Sequence, residues 1–287
     1  MKYRHAFHAG NFADVHKHVT LLGLLRALTR KEKGFLLLET HAGRGRYDLA
    51  AADARKGDES RSGIEQLLAT PIADVPEIHD YLELVRRTRK GPHARHAYPG
   101  SPWLALQVLR QQDRAVFVET QPGEHAALDA TLRAAAPSAR VASECADGYA
   151  RLAHWLPNVE RRALVLVDPP YEESRSDFDA AVEAIATVLR RLPTAVIALW
   201  YPIKDERDTR AWLERIPARV PHDAAHPPTF LCGELWLRPP DNRVGLNGSG
   251  MLIVNPPWQI DTRMREWLPV VHAALDPAPA RGGWRVR

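Results

Sequence analysis

Cysteine is scarce: only Cys145 and Cys232 occur in 287 residues, far apart and outside any CxxC pair. That excludes a disulfide framework or a four-thiolate zinc site as the basis of the fold and points to a reducing compartment. Long apolar runs are missing too, since none approaches the roughly 18 residues needed to span a bilayer. The opening MKYRHAFHAGNFADVHKH has no apolar centre of the signal-peptide type. The expectation is a cytoplasmic protein. There is no internal repeat, and the charge excess is small, 39 Lys and Arg against 35 Asp and Glu. The resulting +4 is spread along the chain, so it tolerates a polyanionic partner such as RNA without demanding one.

What is present is an alternation of short buried strands with amphipathic helices. Asp14 reads as the N-cap of a first helix, and FLLLET (35–40) as a buried strand running into the glycine turn HAGRGRY. Further strands are AVFVET (115–120), RVASE (140–144), ALVLVDPP and TAVIALWYPI, each separated by a helical pattern and therefore parallel. TFLCGELWLRP and GMLIVNPP flank a polar loop with no helix between them, which predicts an antiparallel pair. The expected fold is α/β and Rossmann-like: one domain over 1–287 with a seven-stranded, mostly parallel sheet and an antiparallel last strand. Residues 48–98 carry only helical patterns and read as a small inserted helical subdomain, and the tail PAPARGGWRVR reads as loose. This architecture resembles that of the class I S-adenosyl-L-methionine-dependent methyltransferases.

Two motifs compete for the active site, DPPY at 168–171 and NPPW at 255–258. In an open parallel sheet ligands bind beyond the carboxyl ends of the strands. Asp168 ends a parallel strand and shares that edge with the glycine turn, whereas Asn255 ends a reversed strand and faces the other way. Three features support the first edge. Gly43 and Gly45 let the backbone turn tightly beside a ligand, without the full GxGxxG of a dinucleotide site. Glu119, at the end of its strand, is placed to accept hydrogen bonds from a ribose diol. Asp147 and Gly148 follow the next strand, where the carboxylate either meets an adenine edge or caps a helix.

The chemistry open to DPPY is methylation of an exocyclic amino group. Asp168 and the Pro169 carbonyl offer two acceptors for the two N–H bonds, which draws the nitrogen toward tetrahedral geometry and aims its lone pair. Tyr171 would stack on the target base. A DNA adenine methyltransferase, a guanine-N2 rRNA methyltransferase and a noncatalytic RNA-binding protein on the same fold are the competing readings. The last would be expected to lose the acid or the glycines, and Asp168, Gly43 and Gly45 are all present.

YRHAFHAGNFADVHKH, THAGRGRY, YPGSP, DPPYE, ALWYP and SGMLIVNPPW closely resemble the bacterial 23S rRNA adenine-N6 methyltransferase J family over nearly the whole chain. The resemblance implies S-adenosylmethionine as cofactor and one adenosine of 23S rRNA as target, modified before the ribosome is complete; no obligate protein partner is evident in the sequence. It implies cofactor contacts from His18, His41, Ser101, Glu119, Asp147 and Gly148, with Lys17 beside them and Gly43 in the turn. Asp168 is then the catalytic residue, and Tyr3 touches the RNA. Glu39 departs from the pattern, standing where Asp is expected, which alters the reach of that carboxylate. His5, His8, His16 and His18 match no zinc signature, so no metal is expected. The arginines of the tail, Arg281, Arg285 and Arg287, are candidate phosphate contacts.

Overall fold

The computed structural model describes residues 7–90, 94–172, 174–239, 245–276 and 282–287. Its first helix, Phe12–Thr29 (α1), is capped by Asn11 and not by Asp14: the Asn11 side chain accepts the Asp14 amide. This correction puts the Asp14 carboxylate inside the first turn, one helical turn from Lys17.

The strand Leu36–Glu39 (β1) leads through the glycine turn to a short strand, Arg46–Asp48 (β2), which pairs antiparallel with Ala97–Pro99 (β3). Between these two strands lie the helices Ala52–Gly57 (α2), Gln66–Ala69 (α3) and Pro76–Thr88 (α4), with a π-helical turn at Arg61–Glu65. Strands of three residues are too short for alternation to reveal, and only the fold shows that β2 and β3 pair as a separate two-stranded sheet.

Ser101–Leu106 (α5), Arg114–Glu119 (β4), Pro122–Ala135 (α6), Arg140–Cys145 (β5) and Gly148–Trp155 (α7) come next. Ala163–Val167 (β6), Ser174–Arg191 (α8), Val196–Ile203 (β7) and Glu206–Arg219 (α9) complete the alternating part. Phe230–Trp236 (β8) and Gly248–Val254 (β9) form the expected antiparallel pair, followed by Ile260–Leu275 (α10) and Gly283–Val286 (β10).

The main sheet has eight strands, in the order β10-β8-β9-β7-β6-β1-β4-β5. The expected count of seven is corrected by β10, which the loose-looking tail supplies. It pairs antiparallel with β8, and Arg285 and Arg287 bond the buried carboxylate of Glu234 across the pair. Those two arginines are therefore engaged within the fold, and Arg281 lies outside the described residues.

Successive strand residues point to opposite faces, so each face builds its own core. Leu37, Phe117, Leu166, Ala198 and Ile253 pack with α1 and α10 on one side. Leu38, Val118, Val165, Ile197 and Leu252 pack on the other side with α8, through Val182, Ile185 and Val188. Helix α1 is buried almost all round from Ala13 to Leu25, because it lies between the sheet at β9 and the helices α4, α5 and α10. Among the described residues no helix is long and apolar enough to cross a membrane.

Candidate active site

The chain leaves β1 toward β4 and β5 on one side and returns to β6 on the other, so β1 and β6 are parallel neighbours at the point where the strand order reverses. Crevices at such points, beyond the carboxyl ends of the strands, are where open α/β sheets bind ligands. A cavity of about 890 Å³ opens there, lined by Lys17, His18, His41, Gly43, Ser101, Glu119, Asp168, Pro169 and Tyr171 among others.

Asp168 is held from below. Its Oδ2 accepts from Lys17 Nζ at 2.6 Å, and the same ammonium meets Asp14 Oδ1 at 2.9 Å. The side chains of Lys17 and Asp14 are 6% and 3% exposed and that of Asp168 16%, so this is a buried triad with one carboxylate facing the cavity. Burial alone would lower the Lys17 pKa, but the two carboxylates outweigh it and hold the ammonium well above its ordinary value. The triad carries one net negative charge.

Glu119 uses both oxygens on backbone: Oε2 accepts from the Gly43 amide at 2.9 Å and Oε1 from the Gln121 amide at 2.7 Å. It therefore ties the end of β4 to the turn after β1, and it lines the cavity. Gly43 sits at φ 61°, and a Cβ there would come within 2.4 Å of the Tyr47 hydroxyl. Arg44 braces the same turn from outside through Glu124.

Beneath this floor, Ser101 donates to Glu39 Oε2 at 2.8 Å. Glu39 is 1% exposed and its Oε1 has no hydrogen-bond partner among the described residues. Burial drives its pKa up to about 8 against the pull of the Ser101 bond and the Lys17 charge. His18 bonds Tyr98 at 3.0 Å through Nδ1, and His41 bonds Thr40 at 2.8 Å, with burial lowering the His41 pKa.

Two of the expected cofactor residues stand apart from the cavity lining. The Asp147 carboxylate caps α7 by accepting the Tyr149 and Ala150 amides, the second of the two roles its position allowed. Gly148 is required by packing, since a Cβ there would fall 1.9 Å from the Thr40 carbonyl. The ring of the next residue, Tyr149, meets that of His41 edge-on. Tyr171 lines the cavity at φ 50° but is only 2% exposed. Its ring packs on Phe178 and Trp200, and its hydroxyl donates to the Trp200 carbonyl at 2.8 Å. A base can therefore meet only the part of the ring that the cavity exposes. Tyr3 and His5 lie outside the described residues.

The competing motif is structural. Asn255, at φ 52°, donates to the Pro193 and Ala195 carbonyls at the start of β7, on the edge opposite the cavity. Of the remaining histidines, His8 bonds Glu59 and His16 bonds Ser249. Residues that the sequence reading missed include Asp14 as a charge partner, whose spacing from Lys17 was the available signal. Trp200 was also missed; it lines the cavity and is held by Ser249 through its indole N–H.

A family model described as "Ribosomal RNA large subunit methyltransferase D, RlmJ" matches residues 32–287. Proteins named ribosomal RNA large subunit methyltransferase J from Haemophilus influenzae and Escherichia coli are each 37% identical to this chain. The first match covers 100% of this chain and 98% of the relative, the second 97% and 95%. A crystal structure of protein LPL1258 from Legionella pneumophila superposes with a TM-score of 0.83 at 29% identity, covering 98% of both chains. With a methyltransferase fold, an acid-bearing cavity at its switch point and full-length relatives of one kind, the chain belongs to the RlmJ family of ribosomal RNA large subunit methyltransferases.

Proposed function

We propose that this protein transfers the methyl group of S-adenosylmethionine to the exocyclic N6 of an adenosine in 23S rRNA, acting on free or precursor RNA. The observation that carries the reading is Asp168, fixed through Oδ2 by Lys17 at the mouth of the cavity, with Oδ1 left without a protein partner among the described residues.

The donor set fits the cofactor. Glu119, already fixed by the Gly43 amide, offers a carboxylate to a ribose diol, and the net negative triad suits a sulfonium cation. Lys17, His18, His41, Ser101, Glu119, and Asp147 with Gly148 would hold it. When bound, S-adenosylmethionine supplies an electrophilic methyl on a good leaving group. The protein's own task is to aim the nucleophile. Asp168 and the Pro169 carbonyl accept the two N–H bonds of the adenine amino group, which localises its lone pair toward the methyl. As the N–C bond forms, the amino group becomes cationic, and Asp168 takes up its surplus proton or passes it to water. Tyr171 and Trp200 form a fixed aromatic wall against which the unstacked base rests, and Tyr3 touches the RNA.

The test is transfer from radiolabelled S-adenosylmethionine to protein-free 23S rRNA and to unmethylated DNA, followed by nucleoside analysis, with Asp168→Ala alongside. N6-methyladenosine from rRNA alone, lost in Asp168→Ala while cofactor binding persists, is the expected result. Label in DNA, in guanosine, or from an active Asp168→Ala protein would overturn the reading.

A further inference from the structure

A continuous chain of polar contacts runs from the inserted helices to Asp168. Glu59, between α2 and the π-helical turn, lies on the cavity rim. Its Oε2 accepts from Asn11 Nδ2 at 2.9 Å, and its Oε1 meets His8 Nδ1 at 2.9 Å. Asn11 in turn accepts the Asp14 amide on Oδ1 at 2.9 Å, which is the cap of α1. Asp14 accepts the Gly10 amide on Oδ2 and the Lys17 ammonium on Oδ1, each at 2.9 Å. Lys17 closes the chain on Asp168 at 2.6 Å.

An asparagine amide has a donor end and an acceptor end that exchange if the group turns over. With Nδ2 anchored on Glu59, Oδ1 can only face the helix terminus. The same carboxylate grips His8, so it fixes both ends of the 8–11 turn, and the Ile64 amide ties the turn's middle through the Gly10 carbonyl at 2.8 Å. Burial would raise the Glu59 pKa, yet it lies below the ordinary carboxylate value because His8 and Asn11 bond to it.

We propose that Glu59 is a positioning residue for methyl transfer: it locks the Asn11 cap, and through Asp14 it sets where Lys17 presents itself to Asp168. The inserted segment is then part of the active-site scaffold. This rests on the reading of Asp168 given above. Sub-ångström placement of the acceptor matters more to the transition state than to cofactor binding, so the effect falls on kcat.

The experiment compares Glu59→Ala, Glu59→Gln, Asn11→Ala and the double variant Glu59→Ala with Asn11→Ala in the full chain. Glu59→Ala should lower kcat roughly tenfold, the order expected of a small misplacement, with cofactor affinity by calorimetry close to wild type. Glu59→Gln keeps an acceptor for Asn11 and should restore most of the rate. The double variant should be no slower than Asn11→Ala, because both changes break one pathway. An unchanged kcat, a loss confined to the KM for RNA, or additive losses in the double variant would overturn the proposal. Asp168→Ala run in parallel separates the two readings: if it still methylates, the assignment of Asp168 fails whatever Glu59 does.

Discussion

Replacing Glu39 by Gln should make the protein more stable in alkali and flatten its response to pH. Glu39 titrates near its ordinary value of 4.5 when unfolded and near 8 when folded, because burial at the end of β1 penalises the carboxylate. Between those values the native state binds more protons than the unfolded state, so stability falls as pH rises through the window and levels off above it. From about pH 5.5 to about pH 8 this one group removes on the order of 3 kcal/mol. Glutamine keeps the shape and can still accept from Ser101 but cannot ionise, so it represents the protonated acid at every pH. Urea unfolding of both proteins at several pH values in that range measures the difference, and all other titrating groups cancel in the comparison. The stability gap should widen in favour of the variant by about 3 kcal/mol across the range. Parallel curves would show that Glu39 is charged in the native state and that its burial has been misjudged.

Lys17→Met should abolish transfer and cost about 3 to 5 kcal/mol of stability, since it leaves the buried Asp14 and Asp168 carboxylates unpaired; denaturant unfolding and label incorporation read the two effects. Asn255→Ala loses both carbonyl contacts at the start of β7 and strains a φ of 52°, which predicts about 2 kcal/mol of destabilisation with a near-normal methylation rate. A folded but inactive Asn255→Ala protein would reverse the choice between the two proline motifs. Arg285→Ala combined with Arg287→Ala should lower the unfolding midpoint, because the buried Glu234 carboxyl loses both arginine partners, while the salt dependence of RNA binding stays as in wild type. A shallower salt slope would return the tail to the RNA interface.

The alternation of elements was legible in the residues alone, and with it the edge on which the cavity opens. A parallel strand ending in Asp168 and a reversed strand ending in Asn255 must point their motifs in opposite directions, so connectivity separates the two motifs and the glycine turn and Glu119 share the edge of Asp168. The strands β2, β3 and β10 were beyond the reach of the sequence because such short segments carry no readable period, and β10 is held by pairing with β8 and by the bonds of Arg285 and Arg287 to Glu234, which lie far apart in sequence. Tertiary structure also decided which polar groups meet. Lys17 and Asp168 are 151 residues apart, and no spacing rule joins them. Asp147 caps a helix and Gly148 meets the Thr40 carbonyl closely, contacts that their place after a strand did not specify. Short-range pattern reports which residues share a face or an edge. Pairing of buried charges depends on distances that only the packed chain sets, and there the cost of leaving a charge unpartnered selects Asp14, Lys17 and Asp168 as one unit.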